Sequence, residues 1–157
     1  MTEKDKNFML IAIELSIQSA QGNGGPFGAV IVKDEKIIAK ASNSVTRDND
    51  PTAHAEVNAI RAAGAVLKNF DLSGCVIYAS CEPCPMCLGA IYCARIGKIF
   101  YANSRADAND IGFQDALIYD DLKKTLSKRS LPIIRIMHSE ALKAFEAWKR
   151  NPHKIEY

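Results

Sequence analysis

The chain has 157 residues, 48% hydrophobic and 24% charged, with 20 basic against 18 acidic side chains. That length suits one domain with its own core. The near-balanced charge, net +2 and without a run of Lys and Arg, argues against an electrostatic footprint for nucleic acid or anionic membrane.

The first element is a helix over Lys6–Ala20, where Phe8, Ile11, Ala12, Leu15 and Ser19 share a face that Met9, Ile13 and Ile17 widen. Glu14 interrupts its apolar run, so no cleavable leader is expected. No stretch approaches the roughly 18 apolar residues of a membrane span, and a cytoplasmic protein is expected. Gln21 to Gly25 ends the helix.

Two strands follow, Gly28–Lys33 and Lys36–Ala41, joined by Asp34-Glu35 as a hairpin turn that lacks the favoured Gly. After a polar loop, Thr52–Leu67 reads as a helix, with Thr52 as its cap and Glu56 in its first turns. Cys75–Ser80 reads as a buried strand. Pro83 and Pro85 impose a loop, and Met86–Ala94 follows as a helix with Pro85 at its start. Lys98–Ala102 is a further strand. Asn103–Asp115 is loop with a short helix, Ala116–Leu126 is helical, Pro132–Met137 a strand and Ser139–Arg150 the last helix, ahead of a tail over Asn151–Tyr157. Strands alternating with helices predict an α/β domain with a largely parallel sheet covered on both faces. The opening hairpin makes that sheet mixed.

All five cysteines, Cys75, Cys81, Cys84, Cys87 and Cys93, lie in one short segment. An odd, clustered set points to metal or catalysis rather than to a disulfide framework. Cys84 and Cys87 stand three apart at a predicted helix start, where the partial positive charge of the helix end favours thiolates. Alone, that pair is also compatible with redox chemistry or structure. His54, from the start of another helix, offers a third ligand. Three protein ligands leave a tetrahedral Zn²⁺ one open position, the arrangement of a catalytic site. Glu56, two residues beyond His54, approaches that opening as a proton carrier. Cys81 is the rival fourth ligand of a closed structural site, which would leave Glu56 without a purpose. Cys75 and Cys93 read as small packing residues. The pattern His-x-Glu followed by Pro-Cys-x-x-Cys is the signature of zinc nucleobase deaminases.

The resemblance extends beyond that signature. Gly25-Pro26-Phe27-Gly28-Ala29-Val30, Asn43, Asp50 to Glu56, Ser80 to Tyr92, Gly112-Phe113-Gln114-Asp115, Ile118-Tyr119 and the ending Glu156-Tyr157 together resemble the bacterial guanine deaminases of the cytidine deaminase superfamily. The resemblance implies a three-layer α/β/α sandwich around a five-stranded mixed sheet, spanning residues 1–157 as one deaminase domain. It also implies one Zn²⁺ per subunit and a homodimer whose C-terminal tails, 151–157, exchange so that Tyr157 closes the partner's site. In the roles it implies, water attacks C2 of a purine, Glu56 moves the protons and Asp115 is the second acid. Asn43 and the Ala55 N–H read the purine edge, and Phe27 stacks on its face. Cys93 stands where some relatives carry a pocket tryptophan, which keeps guanosine and other amino-purines or triazines open as substrates. The rivals are a tRNA adenosine deaminase with the same zinc site and a zinc-stabilised binding module without catalysis, in which Glu56 would be dispensable.

Overall fold

The computed structural model describes residues 2–157, and the chain divides into two compact units, Met1–Ala116 and Leu117–Tyr157. The first unit opens with helix α1 (Glu3–Gln21), which starts earlier than its apolar pattern suggests. Thr2 caps it through a reciprocal box: its hydroxyl accepts the Asp5 N–H while the Asp5 carboxylate accepts the Thr2 N–H. Strands β1 (Gly28–Lys33) and β2 (Lys36–Ser42) form the hairpin. Asp34 and Glu35 both adopt positive φ, 47° and 60°, the mirror-image turn that matches strand twist even without glycine.

A single helical turn, α2 (Val45–Asp48), precedes helix α3 (Ala55–Leu67). Thr52 does not cap α3; its hydroxyl donates to Asp50 Oδ1 at 2.7 Å, and His54 takes the cap position instead. Strand β3 (Cys75–Cys81), helix α4 (Pro85–Cys93), strand β4 (Lys98–Asn103) and helix α5 (Arg105–Asp110) complete the unit.

The sheet runs β2-β1-β3-β4, with β1 antiparallel to both neighbours and β3 parallel to β4. Strand alternation splits its residues between two faces. Val30, Val32 and Tyr78 pack with Ala12 under α1. Ala29, Ile31, Cys75 and Ile77 pack with Ala55, Ala59, Ala63 and Ile91 of α3 and α4. The small residues of α3 let it lie close on the sheet. On the other face α1 comes close to the sheet at Gly28, where a Cβ would stand 2.3 Å from the Ala12 carbonyl oxygen.

The second unit holds helices α6 (Ala116–Leu122) and α7 (His138–Arg150) with a short 3₁₀ turn between them. The expected strand at Pro132–Met137 is absent, so among the described residues the sheet has four strands rather than five. The physical reason lies in pairing. β-branched content favours an extended chain, but a strand needs an edge to bond, and this unit contains no sheet. Ile134 and Ile136 are 80% and 74% exposed. Among the described residues no helix is long and apolar enough to cross a membrane.

Candidate active site

The carboxyl ends of strands are where open α/β sheets gather ligands, and here the chain leaving β3 turns at Pro83 into α4. Cys84 is the N-cap of α4, Pro85 takes its first position, and Cys87 follows one turn in. His54 is likewise the N-cap of α3. Two helix starts therefore meet, each directing its positive end at the same point. His54 Nδ1 lies 3.6 Å from Cys84 Sγ and 3.5 Å from Cys87 Sγ. The three ligand atoms lie within 4.8 Å of one another.

This donor set fits zinc. Bonds of about 2.3 Å to sulfur and about 2.0–2.1 Å to nitrogen at tetrahedral angles place S and N about 3.5–3.6 Å apart, which is the spacing found. Cys81 stands outside the set. Its thiol faces the Ser104 carbonyl oxygen at 3.6 Å, and burial, its largest influence, pushes it up to about 11. The site is thus open, with three protein ligands. Cys84 is held down to about 4, first by the hydrogen bond from the Cys87 thiol and also by His54. The same bond and burial push Cys87 well above the ordinary thiol range. One thiolate is ready for a cation, and the second proton is displaced on binding.

Glu56 lies in the first turn of α3, on its buried face and only 7% exposed. Burial raises its carboxyl above the ordinary range, and the nearby Cys84 thiolate adds to the effect. Asp115 is raised too, again chiefly by burial and then by the charge of Cys84. Two acids with raised affinity for a proton thus stand near one metal-ligand set, a clustering typical of functional sites.

Above this floor opens a cavity of about 320 Å³, at the small end of small-molecule sites. Phe27, Asn43, His54, Glu56 and Cys84 line it, as expected. Gly24, Gly25, Val45, Thr46, Glu82 and Phe113 line it as well. Phe113 meets Phe27 edge to face at 4.8 Å. Its place in the Gly-Phe-x-Asp segment was the signal for it, although no role attached to the aromatic ring. Ala55 is fully buried at the start of α3, where the helix leaves N–H groups unpaired by its own carbonyls. Cys93 does not line this cavity. It is exposed at the end of α4, in a separate shallow groove with Val57, Phe70 and Leu72. Tyr157 belongs to the second unit, edge-on to Trp148 at 6.5 Å.

An open His-Cys-Cys site beside a buried carboxylate defines a zinc-dependent hydrolase of the deaminase type. Residues 2–103 match the cytidine and deoxycytidylate deaminase zinc-binding region, and the chain belongs to that family. It is 49% identical over 153 residues to the guanine deaminase of Bacillus subtilis (strain 168), covering 97% of this chain and 98% of that one. The X-ray structure of guanine deaminase from Bacillus subtilis superposes with a TM-score of 0.94 at 47% identity, over 100% of this chain and 99% of that one. More distant is a tRNA-specific adenosine deaminase of Buchnera aphidicola subsp. Schizaphis graminum, 34% identical over 96% of this chain and 97% of its own length.

Proposed function

We propose that this chain hydrolyses the exocyclic amine of guanine, giving xanthine and ammonia. The observation that carries the reading is the buried Glu56 beside the open His54, Cys84 and Cys87 set, at the floor of a cavity sized for a small planar ring. The similarity to guanine deaminase over nearly the whole chain supports the choice of base.

When bound, zinc supplies the Lewis acidity that makes water a nucleophile at neutral pH. His54, Cys84 and Cys87 hold it. Glu56 accepts a proton as the water oxygen bonds to C2, and delivers it to the adjacent ring nitrogen. With C2 tetrahedral, the remaining proton of the oxygen now bonded to C2 passes to the amine with the help of Asp115. The C2–N bond then breaks, ammonia leaves and C2 becomes a carbonyl. Phe27 stacks on the ring, and Asn43 and the Ala55 N–H bond its edge.

The two units act as one deaminase domain over 1–157. The working form is a homodimer in which residues 151–157 exchange and Tyr157 closes the partner's cavity. Support comes from the apolar side chains that the second unit leaves exposed, Leu131, Ile134, Ile136 and Phe145 among them. The five free cysteines suit a reducing cytoplasm.

The test is ammonia release by zinc-loaded protein from guanine, guanosine, adenine, cytosine, cytidine and ammeline, with adenosine-to-inosine conversion in tRNA run alongside. Turnover of guanine in preference to the rest is expected. Turnover of guanosine alone moves the reading to a nucleoside, and inosine formation with silence on guanine moves it to tRNA. Light scattering reads the dimer, and mixing Glu56→Gln chains with chains lacking Tyr157 restores activity only if tails cross between subunits.

A further inference from the structure

Glu82 is half-buried in the loop between β3 and α4, two residues before Cys84. Its backbone N–H donates to the Asn103 carbonyl at 2.8 Å, and its Oε2 accepts the Arg105 N–H at 3.2 Å. Arg105 is the first residue of α5. The capping box there pairs the Ser104 and Asp107 N–H groups with each other's side chains. The Arg105 N–H, which the box leaves out and the helix itself cannot pair, is met by Glu82 from the neighbouring loop. A carboxylate also suits the positive end of a helix. Ala108 is the one buried residue of α5, so packing does little to hold this helix and the bond at its start weighs more. The far end is closed by backbone alone. The Phe113 N–H donates to the Ala108 carbonyl at 3.0 Å, and the Gly112 N–H to that of Asn109 at 2.9 Å. Gly112 sits at φ 98°, the left-handed residue on which this pair of bonds ends a helix. Phe113 therefore moves with α5. It lines the cavity against Phe27, and Asp115 follows two residues later.

We infer that Glu82 is a positioning residue: its carboxylate ties the start of α5 to the loop that carries Cys84, and α5 in turn sets Phe113 and Asp115 relative to the metal-ligand set. This rests on the proposed reaction and on the part that Asp115 plays in it. Six residues of helix act as a strut between the loop that holds the ion and the segment that helps the amine leave.

The test measures kcat and KM for guanine, zinc content, and amide hydrogen exchange over residues 104–113. It uses the zinc-loaded full chain, Glu82→Gln and Glu82→Ala, with the kinetics repeated in an Asp115→Asn background. Glu82→Gln keeps an oxygen for the Arg105 N–H and should hold kcat within about threefold of wild type. Glu82→Ala should raise exchange over 104–113 about 5–10-fold. It should also lower kcat about 10–100-fold with zinc content unchanged, since misplacing a catalytic group by about 1 Å can cost about 100-fold. In the Asp115→Asn background the same change should cost less than about threefold in kcat, because the group it misplaces is already gone. A loss in Glu82→Gln equal to that in Glu82→Ala makes the charge itself the agent and overturns the inference. Loss of zinc in Glu82→Ala, exchange that does not rise, or a kcat loss undiminished by Asp115→Asn overturns it too. If Glu82→Ala does not fold, Gly112→Ala, strained at its φ, disturbs the other end of the same helix, and an unchanged kcat there overturns the inference. A wild type silent on guanine defeats the proposed function, while the exchange data still decide whether Glu82 holds α5.

Discussion

Replacing Glu56 with glutamine should move activity and stability in opposite directions. The amide keeps the shape of the carboxylate but cannot carry a proton. In the proposed reaction two transfers pass through Glu56, from water and to the ring, and each positioned acid or base contributes about 10²–10⁴-fold. Taking about 10³ for each, kcat falls about 10⁶-fold, or about 8 kcal/mol in the barrier. Stability responds to the burial that raises this carboxyl above its ordinary value. An acid raised in the folded state destabilises the fold when ionised. That cost is absent below its unfolded value, where both states are protonated, and complete above its folded value. Glu56→Gln removes it. In metal-stripped protein at neutral pH the variant should therefore melt higher, by about 2–4 °C if the gain is about 1 kcal/mol, and the gap should close below about pH 4.5. Ammonia release, zinc content and thermal melts across pH read all three. Activity within tenfold of wild type would refute Glu56 as the proton carrier. A variant that melts lower at neutral pH would refute the argument from burial.

Other outcomes follow from the same structure. Chelation should abolish turnover while the far-ultraviolet dichroism of the protein persists, because the two larger apolar clusters on the sheet contain none of the metal ligands; added zinc should restore activity. Gly28→Ala drives a methyl against the α1 backbone at Ala12 and Ser16 and should cost about 2–3 kcal/mol, seen as a melting temperature lower by about 5–10 °C. Asp5 is lowered to about 2, first by the Thr2 N–H and then by the Tyr78 hydroxyl. A lowered acid stabilises the fold above its unfolded value and loses that contribution as pH falls through about 2. Asp5→Asn should accordingly reduce the melting temperature at pH 7, with the difference from wild type vanishing in strong acid.

Much of the site was legible because its chemistry follows short, fixed spacings. Cys84 and Cys87 lie one helical turn apart and Glu56 follows His54 by two positions, so each pair is fixed locally, and the shared signature marks the two pairs as partners that the packing of α3 and α4 brings together. Phe27, Asn43 and Asp115 were legible through resemblance. Val45, Thr46 and Glu82 were not, because the single turn of α2 is too short to show a helical period and Glu82 lies in a loop, which leaves no periodic trace. The misread strand at Pro132–Met137 has the right composition. Composition describes what a segment prefers, whereas a strand also requires a free edge to bond. Thr52 was misplaced as a cap because the chain stays non-helical through His54 and the first turn of α3 starts only at Ala55.

The division of labour between helix ends and loops has a consequence for change over time. The ion-holding residues are anchored at two helix starts seated on the sheet, while the cavity's rim is lined by the Gly24-Gly25 loop, by Asn43 and the short turn of α2 that follows it, and by Phe113. Floor and rim can therefore be altered separately. A rim substitution can retune which amine-bearing ring is accepted without rebuilding the centre that breaks the bond, so one reaction can be redirected among many heterocycles on a constant foundation.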